Sequence, residues 1–412
     1  MTERKSAARG ARGARTPDKR LLALAMAAFA LGFAEFSMMG ILPDVAAGTG
    51  VDIPTAGNYV SAYAIGVCFG ALILVFGHNI APKRLLVAFA VLMVIGNGLA
   101  AAAPSAHTLL AARFVAGLPH GAYFGTATLV AKKLAAPGKE AAAVSTMVLG
   151  QTLANMVGVP FGTLLSAAIS WRAAYAFVAV WAAVAAILLA RFIPNLAYSR
   201  HASLTGQFGF LRKPAPWIVL GAVFAGNTGL FCWWSYVSPW LETQGGFNAL
   251  TLPLLLVLAG AGMVAGSTLG GRAADALSPG REAALGQGLS AACLLAIFFV
   301  SGHTASVFLL VATSFAMFSM SSAQQLIMVK VGSGGGEMIG SALVQIAYNG
   351  ANALGAIIGQ QVLNAGFSYN VSSVAGAPFA LASMALLAVF ALRFERHAVD
   401  QLPNACSPVR QA

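Results

Sequence analysis

Residues 21–42 read LLALAMAAFALGFAEFSMMGIL, a run of apolar positions broken by a single ionisable side chain, Glu35. An α-helix rises 1.5 Å per residue, so roughly 20 apolar residues cross the hydrocarbon core of a bilayer. A helix on the surface of a soluble core keeps one polar face, and this stretch has none. It is therefore predicted to span a membrane. Working outward, stretches of the same kind fall at 57–77, 84–103, 107–130, 141–169, 172–194, 215–241, 249–271, 282–301, 304–329, 338–364 and 373–394, which makes twelve spans. The whole chain agrees, with 58% hydrophobic and 9% charged residues in 412, where soluble domains carry about 25% charged residues.

Charge placement tests that count. With the N-terminus inside, all 24 Lys and Arg residues fall in the tails, the cytoplasmic loops or the cytoplasmic ends of spans except Arg113, deep within a span, and Arg172, outside. Lys and Arg concentrate on the cytoplasmic side of membrane proteins, so both termini are predicted cytoplasmic. The same placement explains the net charge of +12 without nucleic acid. Residues 1–20 form a basic tail read as disordered and not as a cleavable signal, because the apolar run behind it is long enough to span. The four cysteines form no CxxC pair. They read as small packing residues, and no metal site or cofactor is expected.

The longest polar stretch between spans covers 195–213 and divides the chain into halves at 21–194 and 214–394, with a cytoplasmic tail at 395–412. Span 2 carries Gly66-x3-Gly70, and span 8 carries Gly262-x3-Gly266 at the equivalent place. The expected fold is all-α integral membrane, with twelve transmembrane helices in two pseudo-symmetric six-helix halves.

Few residues inside the spans carry chemistry. A carboxylate at Glu35 costs several kcal/mol in hydrocarbon unless it is paired, hydrated or protonated. It reads as a proton-coupling site or as a structural carboxylate bonded to a neighbouring helix. Arg113 in ARFVAGLPHGAYFG is its natural counter-charge, either facing a cavity or tying helices together through backbone carbonyls. Gly117, His120 and Gly121 share its helix face, and the glycines permit close approach of another helix. His120 reads as a cavity residue or a satisfied interior one. In GQTLANMVGVPFGTLL, Gly158, Pro160 and Gly162 predict a distorted helix, and Gln151 with Asn155 forms a polar patch or plain packing. Asn227, Trp233, Trp234, Tyr236 and Trp240 crowd span 7, as an interfacial belt or a stacking surface for a ring. In span 11, Gln345, Asn349 and Asn352 share one face suited to a polyol or polar amphiphile. GAGMVAG at 260–266 lies within a span with no strand before it, and VGSGGGE at 331–337 lacks the Lys-Ser/Thr of a phosphate loop, so neither reads as a nucleotide site.

AEFSMMGILPDVA, ARFVAGLPHGAYFG, LANMVGVPFGTLL and FLRKPAPW with GNTGLFCWWSYVSPW resemble the major facilitator superfamily, in its drug:proton antiporter division. The resemblance covers about residues 20–395 and is nearest to the arabinose-efflux-permease-like branch, which includes sugar-efflux and chloramphenicol-resistance-like transporters. It implies proton coupling at Glu35 and Arg113. The Gly158, Pro160 and Gly162 signature implies export. Gly77, Lys83 and Arg84 match the gating loop of the first half, with Ala81 where an aspartate is usual, and Gly271, Arg272 and Asp275 match it in the second. The expected partners are protons, membrane lipid and a small molecule, first a sugar or sugar-like compound and second a chloramphenicol-type drug. The expected protein is a monomer in the inner membrane of a bacterium. An importer of the same fold is the nearest alternative. A membrane-embedded enzyme would need converging carboxylates or a nucleophile with its base, and the sequence shows no such cluster.

Overall fold

A computed structural model describes residues 18–76, 80–136, 140–196, 208–299, 302–332 and 336–395. These residues are helical with short connections. Residues 1–17 of the expected basic tail, most of the 195–213 loop, the C-terminal tail beyond Glu395, and Gly77 lie outside them. Twelve long helices follow in order: α1 (Lys19–Gly40), α2 (Asn58–Phe76), α3 (Pro82–Ala102), α4 (Ala106–Leu134), α5 (Glu140–Leu153, continuing through Val159–Ala168), α6 (Trp171–Phe192), α7 (Pro214–Trp234), α8 (Leu252–Leu277), α9 (Pro279–Phe299), α10 (His303–Val331), α11 (Glu337–Asn364) and α12 (Tyr369–Arg393). Nine stretches among the described residues are long and apolar enough to cross a membrane by length and composition, and α2, α4 and α11 complete the alternation.

Local chemistry sets the helix ends. The Asp18 carboxylate accepts the Arg20 backbone N–H at the start of α1, and Ser105 closes a capping box with Thr108 on α4. Such caps satisfy donors that the first turn leaves free. Pro82, Pro214 and Pro279 open α3, α7 and α9, where a missing N–H costs nothing. Two expected spans end early for a related reason. Pro43 stops α1 at Gly40 and begins a short helix, Leu42–Thr49. Pro239 lies in a second short helix, Val237–Thr243, offset from the end of α7. In each case proline cannot donate to the preceding turn. α5 carries a π turn at Ala154–Gly158, in which the Val159 N–H bonds the Ala154 carbonyl, just before Pro160.

Packing repeats with a shift of six helices. α2 packs on α4 and α8 on α10; α3 on α6 and α9 on α12; α1 on α5 and α7 on α11. Between the two sets, α2 meets α11 and α5 meets α8. The glycine pairs act alike in both sets. A Cβ at Gly70 would sit 1.7 Å from the Leu118 carbonyl oxygen, and one at Gly266 would sit 2.2 Å from that of Phe315. Bare backbone is what lets these helices touch. α1 and α7 are buried on nearly every face. α6 and α12 instead expose Val180, Ile187 and Leu392, as lipid-facing helices do.

Candidate functional site

α1 brings Glu35 to the centre of the bundle, where it is 2% exposed. One carboxylate oxygen lies 3.7 Å from His120 Nε2 on α4. On its other side the imidazole Nδ1 is 2.9 Å from the Tyr63 hydroxyl of α2, which also reaches the Leu31 carbonyl at 3.3 Å. Arg113 lies two turns before His120 on α4. Its Nη1 donates to the Ala34 carbonyl at 2.8 Å and its Nε to the Tyr59 carbonyl at 3.3 Å. The guanidinium lies over the rings of Tyr63 and Tyr175, at 4.4 and 5.5 Å from their centroids. Arg113 thus ties α4 to α1 and α2 through backbone. The direct pairing with Glu35 is absent among the described residues, and the nearest basic group to the carboxylate is His120. Glu35 Oε1 and Arg113 Nη2 have no hydrogen-bond partner in the protein. Leaving such groups unpaired costs about 1–3 kcal/mol each, and more for charged ones. Groups held that way call for a functional account.

Glu35 also forms part of the wall of a chamber of about 90 Å³. Gln151 of α5, Ser321, Gln324 and Gln325 of α10, and Gln345 and Tyr348 of α11 line it as well. Four side-chain amides therefore converge on one space, with both donors and acceptors to offer. The chamber draws on the C-terminal part of α10 and the N-terminal part of α11, so it lies toward the bundle end from which α1 starts. At the opposite end the two sets of helices are bonded together. Ser61 donates to the Ala353 carbonyl at 3.1 Å, Ser238 to that of Gly40 at 3.2 Å, and Tyr236 to that of Pro54 at 3.4 Å. A second, smaller chamber of about 20 Å³ lies toward that closed end. Its walls are apolar except for Asn155, and include Met39, Val159, Trp234, Val237 and Leu256.

Set against the sequence, the placement is uneven. Gln151 and Gln345 line the larger chamber, and Asn155 and Trp234 the smaller. His120 leaves the cavity set and joins Glu35. Asn227 bonds the Val223 carbonyl of its own helix at 2.8 Å, and Asn349 bonds that of Gln345 at 3.0 Å. Trp233 and Tyr236 are fully buried, and Trp233 packs on Trp240 with ring centroids 4.9 Å apart. These aromatics form the closed end instead of an interfacial belt, because they pack inward between helices. Gly158 and Gly162 give room to Phe33, whose ring atoms would lie 2.7 and 2.9 Å from a Cβ at each position. Lys83 is half-buried and Arg84 exposed at the start of α3, and Arg272 and Asp275 are exposed near the end of α8. A Cβ at Gly271 would touch nothing within 4 Å. Tyr63, Tyr175, Ser321, Gln324 and Gln325 were not among the expected site residues. The adjacent pair Gln324–Gln325 inside an apolar span was the signal for α10.

The model of the family described as Major Facilitator Superfamily matches residues 24–359. The chain belongs to the Major Facilitator Superfamily. It is a multi-pass membrane transporter and not an enzyme. It is 36% identical to the putative transporter AraJ of Escherichia coli strain K12, over 95% of this chain and 99% of that one. It is 32% identical to a chloramphenicol resistance protein of Streptomyces lividans, over 62% of this chain and 66% of that one. It is 24% identical to a probable sugar efflux transporter of Mannheimia succiniciproducens, over 92% and 95%. The fold and family expected from the sequence are thus those observed.

Proposed function

We propose that this chain is a proton-coupled exporter of a sugar-like, polyhydroxylated solute, working by alternating access. The observation that carries the proposal is the buried Glu35–His120 contact in the wall of an amide-lined chamber. Rocking of residues 21–194 against 214–394 would expose that chamber alternately to the two sides of the membrane. Bonds across the closed end, with the Lys and Arg bias, support a state open to the cytoplasm.

The coupling follows from charge. With Glu35 ionised and His120 neutral, the carboxylate offsets the Arg113 guanidinium and the pocket is neutral overall. One proton added to Glu35 leaves the buried Arg113 charge without its offset. That charge is better tolerated where the site is hydrated, so the two states bind the proton unequally, and unequal binding is what shifts a population. The Tyr63 contacts are mutually consistent when Tyr63 donates to the Leu31 carbonyl and His120 Nδ1–H donates to Tyr63. Nε2 then faces Glu35 as a proton acceptor. Gly77, Lys83, Arg84, Gly271, Arg272 and Asp275 act at the cytoplasmic mouth in this scheme, and Gly158, Pro160 and Gly162 let α5 bend beside α1.

Four amides suit hydroxyl groups, and the sugar efflux relative supports that class. The apolar chamber beside Trp234, together with the chloramphenicol resistance relative, favours a second reading, export of a chloramphenicol-type drug. One experiment separates them. Inside-out vesicles carrying the purified chain are given an acidic lumen and offered labelled sugars and labelled chloramphenicol. Accumulation of a sugar that collapses with the gradient is expected. Chloramphenicol accumulation alone would select the second reading, and accumulation indifferent to the gradient would remove proton coupling.

A further inference from the structure

Phe36 is the one described residue that lines both chambers, and it is 4% exposed. Its neighbours on α1 divide between the two spaces. Glu35 faces the amide-lined chamber, whereas Met39 and Gly40 face the apolar one. Side chains three and four apart share a helix face, so Phe36 stands at the edge of the Met39 and Gly40 face, one position from Glu35. From α5 the division is the same, with Gln151 on one side and Asn155 on the other. The helices are held close at this level. A Cβ at Gly32 would lie 3.0 Å from Gln151 Cγ, and one at Gly40 would lie 2.7 Å from Thr163 Oγ1. α1 and α5 are close-packed there, and Phe36 borders both spaces.

We infer that Phe36 is the septum of the permeation path, the side chain that closes the amide-lined chamber from the apolar one and whose displacement joins them. The apolar chamber then becomes the second station of the path, holding the less polar side of a solute that has left the amides. Because Phe36 follows Glu35 in the chain, a movement of α1 that hydrates the carboxylate also moves the ring. Proton uptake and opening of the septum are thereby tied to one helix turn. The inference rests on the transporter reading above, since a septum has meaning only on a path.

The test needs no substrate, so its failure is separate from failure of the proposed function. In a background with Cys68, Cys232, Cys293 and Cys406 replaced by serine, Asn155→Cys places a thiol in the apolar chamber. A membrane-impermeant thiosulfonate is added to inside-out vesicles, and labelling is timed by mass. With Phe36 present the thiol is expected to react slowly. Phe36→Ala is expected to speed labelling by about tenfold or more, as shielded and accessible thiols differ. Phe36→Val gives a smaller increase and serves if the alanine variant does not fold. Phe36→Tyr, which keeps a ring, stays slow. Leu256→Ala, which enlarges the apolar chamber from its far wall, also stays slow. Rapid labelling with Phe36 intact would overturn the inference. So would a rate unchanged in both well-folded Ala and Val variants, or an equal acceleration by Leu256→Ala.

Discussion

Gly70→Ala should damage proton coupling from a distance, and the structure sets the size of the effect. The new Cβ would lie 1.7 Å from the Leu118 carbonyl oxygen and 2.5 Å from its carbon, where ordinary contact begins at 3.4 Å. Backbone cannot rotate away as a side chain can, so α2 must retreat from α4 by more than 1 Å, at an overpacking cost of about 1–3 kcal/mol. The Glu35 site spans that same seam. The Arg113–Tyr59 bond is already 3.3 Å long, and the His120–Tyr63 contact is 2.9 Å. A retreat of that size breaks both and frees His120 from the orientation that aims Nε2 at Glu35. Gly266→Ala is the matched control. Its Cβ would lie 2.2 Å from the Phe315 carbonyl oxygen in the α8–α10 seam, which contains no part of the charged site. Both variants should lower the thermal midpoint of the purified protein in detergent, followed by tryptophan fluorescence. Gly70→Ala alone should lose gradient-driven accumulation in vesicles while keeping solute counterflow. Gly70→Ala protein with unchanged midpoint and unchanged coupling, or equal coupling loss in both variants, would refute the reasoning.

His120→Gln keeps a polar side chain but removes the acceptor that faces the Glu35 carboxyl; the pH dependence of transport measured from pH 5 to 8 should shift, with counterflow retained. Gln151→Leu and Gln345→Leu each remove one hydrogen-bonding partner from the chamber, and a lost bond of about 0.5–1.5 kcal/mol raises the KM for a sugar roughly two- to tenfold with little change in maximal rate. Single cysteines at Asn248 and Ser203 should label with an impermeant reagent from outside and from inside respectively; the reverse pattern would invert the orientation.

Much of the fold could be read from sequence because the bilayer imposes a simple rule on composition. The Gly66-x3-Gly70 and Gly262-x3-Gly266 pairs were legible as equivalent positions, and both prove to be backbone contact points. Glu35 stood out because a charge in an apolar run is costly. Its surroundings were harder to read. Arg113 is held by the carbonyls of Ala34 and Tyr59, and every residue has a carbonyl, so no side-chain pattern announces that partner. His120 was placed on the correct face of α4, but the identity of what crosses that face depends on where α1 lies. The tryptophans around 233–240 were ambiguous for a physical reason: bundle interior and lipid interface are both hospitable to an indole, and only tertiary packing tells them apart. Pro160 and its flanking glycines predict a distortion in α5, whereas the π turn before it and the seating of Phe33 against Gly158 and Gly162 are tertiary features.

The central claim is that Glu35 carries the coupled proton. Glu35→Gln keeps the shape of the side chain and removes its titration. In vesicles with an imposed pH gradient, the variant should lose gradient-driven solute accumulation completely while exchanging labelled for unlabelled solute across the membrane at near the normal rate. Full gradient-driven accumulation by Glu35→Gln would contradict the account and move the proton to another site.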